Sequence, residues 1–521
     1  MRTVEVTPVL IAGGGPAGLA AAAELGHRGV GCVVVEPRVR VSHRRPRAKT
    51  TSIRTMEHLR RWGVAEALRA AAPLKVSWSQ RVTFCESLAG PRITDFDHAF
   101  GLVTRRDDRF AEPGQQVPQP VVEEVLRAHL RGGPHVDLRL RHALTALAQD
   151  DDGVTATIST GGGQYQVKAR YLLGCDGAGG ITRDLIGASY VGRSDPRPNF
   201  NVVFRAPALD PPLGPAVQYW VLGERVSGLV GRLDLDGTWW AIMPGIDQDH
   251  GLAHAGELIT ELAGAPVNDL DVLATDPWTA RMLVADRFAD RRVFLVGESA
   301  HLNPPWGGHG FNTCVGDAVN LGWKIAAVEQ GWAPPGLLAS YEPERRGVVE
   351  RTVASAAANM AALATDLPRD AASIQRAKLT EFHSLGLVLG YSYAGSPIIQ
   401  GPASPAPATD ITRYTPASDP GARLPHHWLA DGSSLYDHLG PGFTLFGQRN
   451  PGTRNLEERA RAIGVPLKLS QAPPGYPWRD EYLLVRPDQH IAWRASDAAE
   501  IDLDRAIGAR APTPVSARQV T

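Results

Sequence analysis

The sequence predicts an α/β fold: a Rossmann-like nucleotide-binding domain, a β-sheet domain interleaved with it along the chain, and a further unit at the C-terminus. Three observations predict it. "TPVLIAGGGPAGLAAAAELGHRGVGCVVVEP" (Thr7 to Pro37) runs from an apolar strand through a glycine turn into an alanine-rich helix and on to a second apolar strand. Residues 191–280 are rich in stretches where apolar and polar residues alternate, the period of a strand with one buried face. Seven prolines fall between Pro397 and Pro425, a stiff segment that sets residues 426–521 apart. A chain of 521 residues exceeds one ordinary domain, and roughly two to four are expected.

Taken in order, the first element is the strand Val9 to Ala12. It opens into G-x-G-x-x-G at Gly13, Gly15 and Gly18, with Pro16 and Ala17 inside the turn. Gly13 permits the turn, Gly15 lets backbone amides approach a pyrophosphate, and Gly18 lets the helix lie close to the sheet. That helix points its positive end at the phosphates. The second strand, Cys32 to Val35, ends in Glu36, a carboxylate placed to accept hydrogen bonds from a ribose diol. Glu36 also repels a 2′-phosphate, so FAD or NAD is the expected occupant of this cradle.

Composition excludes several classes. Lys and Arg total 54 against 55 acids, a net charge of −1, so neither nucleic acid nor an anionic membrane is expected as a partner. No stretch approaches the ~20 apolar residues of a membrane span. The cysteines, Cys32, Cys85, Cys175 and Cys314, lie far apart without a C-x-x-C pair. No metal site is expected. With no signal-peptide layout at the N-terminus, a reduced, cytoplasmic setting follows.

The next segments carry a resemblance. Pro37 to Met56 holds seven Arg/Lys residues and no acid, and contains Pro46-Arg47-Ala48 followed by Arg54-Thr55-Met56-Glu57. "VPQPVVEEVLRAHL" reads as a helix led by Gln119. "ARYLLGCDGAGGITRDLIG" carries Cys175-Asp176-Gly177. "VGESAHLNPPWGGHGFNTCVGDAVNLGWKIA" (Val296 to Ala326) starts as a buried strand, passes a turn of two prolines and three glycines, and ends as a helix from about Phe311 to Glu329. In this order, over residues 7 to 350, these segments resemble the class A FAD-dependent aromatic hydroxylases, the para-hydroxybenzoate hydroxylase fold, and in particular the phenol and aromatic polyketide hydroxylases.

The resemblance implies FAD in the cradle. Arg47 is expected along its pyrophosphate, Gln119 on the ribityl side, and Arg127 at a phosphate. Asp176 and Gly177 are expected near both the pyrophosphate and a passing nicotinamide cofactor. Glu298, where the family has Asp, is expected to accept from a ribityl hydroxyl. Where the family continues Arg-Ser, this chain has Gly179-Gly180, with Arg183 retained. The turn Pro304 to Gly310 becomes the flavin's platform. Prolines fix φ and remove stray N–H groups, while glycines let the chain pass close to a flat ring. Pro305, Gly308, Gly310, Phe311 and Asn312 are assigned to the flavin, with Asn312 as a donor to its N1–C2=O edge beside the helix amides. Asp317, Asn320 and Trp323 continue the family pattern as helix packing and hydrogen bonding.

Domain boundaries follow: 1–75, 111–190 and 281–395 for the FAD-binding domain, with long helices from Leu338 to about Leu387; 76–110 and 191–280 for the substrate-binding sheet; 396–425 for the linker. Residues 426–521 resemble the thioredoxin-like C-terminal domain of the larger hydroxylases, with a structural or homodimer-contact role. Sheet aromatics Phe200, Phe204, Tyr219, Trp220, Trp239 and Trp240 are candidates to stack on a planar substrate, and His309 to touch it. Lys49 and Trp306 are the catalytic-side candidates, Lys49 favouring a phenolate. The implied reaction is hydroxylation of a phenolic or polycyclic aromatic natural product. NADPH or NADH reduces FAD, O2 adds at C4a, and the hydroperoxide delivers OH to the ring. Baeyer–Villiger insertion or epoxidation on the same fold stays open, as does an FAD-holding binder of a polyketide without redox turnover. A halogenase is set aside, because "TWWAIMP" (Thr238 to Pro244) misses the W-x-W-x-I-P spacing.

Overall fold

The computed structural model describes residues 4–43, 49–362, 369–400, 410–478 and 481–510. Its first sheet has eight strands built around Glu5–Ala12, which pairs in parallel with Gly163–Gly174 on one side and Cys32–Glu36 on the other. Val9, Leu10 and Ile11 are fully buried, as a parallel strand covered on both faces requires. The cradle helix, Pro16–His27, packs its alanines against the platform helix, Gly310–Glu329, in one continuous core. The observed platform helix starts one residue before the predicted one.

The second sheet also has eight strands. Two long strands, Tyr190–Arg205 and Asp271–Ala285, pair antiparallel and carry the chain between the sheets. Thr238–Pro244, Ser227–Arg232 and Gln218–Leu222 follow outward, and the last pairs in parallel with Val82–Cys85. One face is covered by the helix Gln248–Ala263, and here the structure corrects the substrate assignment. Phe200, Phe204, Tyr219 and Trp239 all lie in the core beneath this helix, facing away from the platform. The pleat explains it: along Gln218–Leu222 and Thr238–Pro244, Tyr219 and Trp239 point one way, Trp220 and Trp240 the other. Gly251 is the covering helix's close approach, since a Cβ there would fall 2.5 Å from the Phe200 ring.

The predicted run of long helices resolves into Tyr341–Ala361, Ala371–Phe382 and Leu385–Leu389. Beyond it, the C-terminal unit is a four-stranded sheet. Phe443–Phe446 and Leu467–Ser470 pair in parallel around the helix Pro451–Ala462, and Tyr482–Val485 and Ile491–Ala495 add an antiparallel hairpin. None of the four cysteines belongs to this unit.

Residues 410–425, expected as part of an extended spacer, instead pack against the FAD-binding domain. Tyr414 joins a core with Ile53 and Phe110. Arg423 is buried in an ion pair with Glu57. The hairpin turn docks likewise. Arg486 forms a bidentate pair with Glu344 at 2.7 and 2.9 Å, and Asp488 accepts from Trp323 Nε1 at 3.1 Å. Among the described residues, no helix is long and apolar enough to cross a membrane.

Candidate active site

The cradle is shaped by what cannot fit it. Gly13 has φ +107°, and a Cβ there would fall 2.3 Å from the Cys175 carbonyl oxygen. A Cβ on Gly18 would fall 1.9 Å from the Gly13 oxygen, so helix and turn touch backbone to backbone. At Gly15 the nearest side-chain atom is 3.9 Å away, which leaves the turn open outward. No side chain caps the helix that starts at Pro16, so its first amides remain available to a ligand. Glu36 closes the far side: its carboxylate accepts from Gly14 N at 2.7 Å and from Arg38 N and Nε at 2.8 and 2.7 Å. Burial works against that charge, yet the Arg38 and Gly14 hydrogen bonds hold its pKa below the ordinary carboxylate value.

Around the cradle, Arg127 donates to the Gly14 carbonyl at 3.3 Å, while its Nε has no protein partner among the described residues. Asp176 accepts from Thr182 N and Oγ1 at 2.9 and 2.8 Å, and its Oδ1 is likewise buried and unpaired. In the Gly179-Gly180 departure, a Cβ on Gly180 would fall 2.1 Å from the Asp176 carboxylate carbon, whereas a Cβ on Gly179 would meet nothing within 4 Å. Gly177 sits at φ +80° in the same turn. Gln119 starts its helix and donates to Glu123 at 2.9 Å. Arg47 lies outside the described residues. Open amides, a terminal acid and unsatisfied polar atoms together fit a dinucleotide.

The platform is a tight turn in which Gly308 N bonds Pro305 O at 3.0 Å. Gly307 and Gly308 have φ +98° and +69°. Their missing side chains make way for His309 Nε2, 2.6 Å from a Gly307 Cβ, and Thr50 Oγ1, 2.5 Å from a Gly308 Cβ. The helix behind has no side-chain cap, and its first backbone bond is Thr313 N to His309 O, which leaves the Gly310, Phe311 and Asn312 amides free. Burial pushes the His309 imidazole down to about 4, so the positive end of the helix meets a neutral ring.

The Asn312 side chain is a correction. Its Nδ2 donates to Thr50 O and Gly308 O at 3.1 and 2.7 Å, and its Oδ1 accepts from Ser52 N and Thr55 Oγ1, both at 2.8 Å. With every position committed to fastening the helix to residues 50–55, only its backbone N–H remains to offer. Asp317 anchors the helix from below, accepting from Gly297 N, His301 Nε2 and Arg345 Nε at 3.2, 2.7 and 2.6 Å.

One cavity of about 550 Å³ lies between platform and sheet, within the usual range for small-molecule sites. Of the predicted residues, Lys49, Gln119, Glu298, Pro305, Trp306, Gly308, Gly310, Phe311 and Trp240 line it. Trp220 faces the right way but stacks on Phe84 at 5.3 Å and lies outside the lining. His309 sits behind the platform, also outside it. Sequence reasoning missed Trp278, whose ring meets Trp306 at 5.8 Å and whose Nε1 donates to Asn201 Oδ1 at 2.7 Å. It missed Asn201, Gln218 and Asp276 as well. Strand alternation from Phe200 to Val203 was the available signal for Asn201.

Cradle, platform and cavity together define a nucleotide-dependent enzyme that closes a planar cofactor against an aromatic-walled chamber. Comparison with known proteins makes it specific. Residues 6–356 match the FAD binding domain family, and residues 417–511 match the aromatic-ring hydroxylase C-terminal family. The chain is 31% identical to 2,4-dichlorophenol 6-monooxygenase of Delftia acidovorans, over 95% of each chain. It is 31% identical to an aklavinone 12-hydroxylase of Streptomyces peucetius, over 81% of this chain and 86% of that one. Among solved structures, the rebeccamycin biosynthetic enzyme RebC with reduced flavin superposes with a TM-score of 0.87 at 31% identity, over 98% of this chain and 100% of that one. Aklavinone-11 hydroxylase with FAD and aklavinone gives 0.84 at 28%, over 98% and 99%. The chain belongs to the FAD-dependent aromatic-ring hydroxylases, and is a flavin-dependent monooxygenase.

Proposed function

We propose that this protein hydroxylates a phenolic or polycyclic aromatic natural product, with NADPH or NADH as transient reductant and O2 as the source of oxygen. The observation that carries the reading is the cavity that joins the proline–glycine platform to the tryptophans of the sheet. FAD, when bound, accepts hydride from the nicotinamide and activates oxygen for transfer. This chain's own residues bind, orient and enclose. Gly13, Gly15, Pro16, Ala17, Gly18 and Glu36 hold the adenosine and pyrophosphate half, with Asp176, Gly177 and, by family resemblance, Arg47. Gln119 and Glu298 take the ribityl side, while Pro305, Gly308 and the backbone amides of Gly310, Phe311 and Asn312 take the ring.

Trp240 and Trp278 offer flat faces to a planar substrate, and Trp306 supports Trp278 from the platform side. Their bulk keeps water from the reacting atoms, which an oxygen-transferring site needs. Lys49, Asn201, Gln218 and Asp276 are polar groups on the substrate side. Relatives named for dichlorophenol and aklavinone favour a phenolic ring. Four buried free thiols suit the cytoplasm. The C-terminal unit has an intramolecular structural role, and a homodimer is the expected oligomer, tested by sedimentation equilibrium.

The test is coupled consumption. In FAD-loaded enzyme, NAD(P)H and oxygen uptake accelerate when phenolic compounds from single-ring phenols to hydroxyanthraquinones are added. Unchanged uptake across that panel defeats the proposal.

A further inference from the structure

The sheet wall of the cavity carries an amide whose direction is fixed. Asn201 lines the cavity, while the side chains of Phe200 and Val202 on either side of it pack in the core beneath the covering helix. Its Oδ1 accepts at 2.7 Å from Nε1 of Trp278, which stands diagonally across the strand pair. An indole N–H only donates, so the atom facing it is the amide oxygen and not the nitrogen. Trp278 is held in turn by Trp306 of the platform turn, with ring centres 5.8 Å apart. Turning the Asn201 amide over would set N–H against N–H. Its Nδ2 is therefore the end left for the cavity, and among the described residues it has no hydrogen-bond partner. The residue is half-buried rather than sealed in the core, so that donor is open to a ligand. Gln218, the other amide on the sheet side, has neither end bonded among the described residues and is free to present either.

Resting on the hydroxylase reading, we propose that Asn201 determines specificity: its Nδ2 donates to a carbonyl oxygen of the substrate, which is therefore an aromatic ketone or quinone and not a bare phenol. A carbonyl oxygen accepts and cannot donate, so it matches the end of Asn201 that donates and cannot accept. A hydroxyl oxygen shares its lone pair with the ring and is the poorer acceptor. A ring that offers only C–H at this point strands a desolvated N–H, the loss by which polar sites reject analogues lacking the matching group. A carboxylate would accept as well, but Asp276 stands directly opposite Asn201 in the strand pair, and a second negative charge beside it is unfavourable. The acceptor is thus a neutral oxygen. Trp278 is the positioning residue. It fixes which end of Asn201 the substrate meets, and through Trp306 it ties that choice to the platform.

The test compares two ligands of one ring skeleton, 1-hydroxyanthraquinone and 1-hydroxyanthracene, bound to oxidised, FAD-loaded protein without reductant. Asn201→Leu is expected to weaken the quinone about 10-fold, the scale of one hydrogen bond, and to leave the hydroxyanthracene within about 2-fold. Asn201→Asp keeps an acceptor for Trp278 and removes the donor, so it should weaken the quinone at least as much. Isotope-edited infrared spectroscopy reads the contact itself. The labelled carbonyl stretch of the quinone is expected to fall on binding to the native protein and to fall less on binding to Asn201→Leu. Equal weakening of both ligands, a carbonyl stretch that binding to the native protein leaves unmoved, or no binding of the quinone overturns the proposal. The infrared reading on the native protein stands whether or not the variants fold. Binding is measured without turnover, so a quinone that binds as expected yet yields no oxygenated product would count against the hydroxylase reading and leave the carbonyl contact standing. Oxygenation of both ligands, with no difference between them in the Asn201 variants, would sink the contact and leave the hydroxylase reading intact.

Discussion

At the scale of single residues, the site works through contacts that tolerate almost no substitution. Glu36 is the clearest case: it accepts from Gly14 on one oxygen and from Arg38 on the other. Glu36→Ala removes charge-assisted hydrogen bonds and the ribose acceptor together. FAD affinity is expected to fall about 10- to 100-fold, or roughly 1.4–2.8 kcal/mol, read by fluorescence titration of the apoprotein. Lys49 carries the opposite sign for stability. Its folded pKa lies below its unfolded value, so the unfolded chain binds the extra proton, and stability rises with pH from the folded pKa up to about 10.4. Lys49→Met is expected to raise the melting temperature at pH 7 and to flatten that rise, which thermal scans across pH will read.

At the scale of elements, the platform shows why proline and glycine concentrate between Pro304 and Gly310. Gly308→Ala would put a methyl 2.5 Å from Thr50 Oγ1 on a backbone at φ +69°. The strain alone is roughly 1–2 kcal/mol. Weakened FAD retention with a broadened flavin absorption band is the expected outcome, and an unchanged spectrum would show that the turn tolerates a side chain.

This turn was legible because its residues are constrained by their own backbone, as were the cradle glycines and the strand–helix alternation around them. The sheet was legible only by half. Alternation announces that Tyr219 and Trp220 face opposite ways, but not which face the covering helix Gln248–Ala263 takes. Trp278 escaped notice because it follows Asp276-Pro277 in a strand whose burial alternates only in part. The side chain of Asn312 misled because a helix-start amide facing a ligand and one tying two segments together look alike in sequence.

At the scale of the whole molecule, buried charge joins the C-terminal unit to the FAD-binding domain. Glu344 receives Arg486, Lys324 and Asn320, and Asp488 receives Arg486 and Trp323. The two contacts that join the units, Glu344 with Arg486 and Trp323 with Asp488, were not readable beforehand, because partners 142 and 165 residues apart leave no local pattern. Burial raises the Glu344 carboxyl, yet the Arg486 and Lys324 charges prevail and hold it at about 2. A depressed carboxylate stabilises the fold above its unfolded pKa, and that contribution is lost as pH falls from about 4.3 toward 2. Glu344→Ala leaves Arg486 and Lys324 buried without their partner, and a loss of about 3–5 kcal/mol is expected in urea unfolding. If the C-terminal unit docks through this network, the variant should also show earlier proteolysis of the Tyr482–Ala495 hairpin.

The account as a whole rests on oxygen transfer to an aromatic carbon inside one cavity. Product formed from a hydroxyanthraquinone under ¹⁸O2, with NADPH and FAD-loaded enzyme, tests it most directly by mass spectrometry. The account predicts one ¹⁸O atom in a new ring hydroxyl with the carbon skeleton intact. Label within an expanded ring, or an oxygenated product whose new oxygen comes from water, would contradict it.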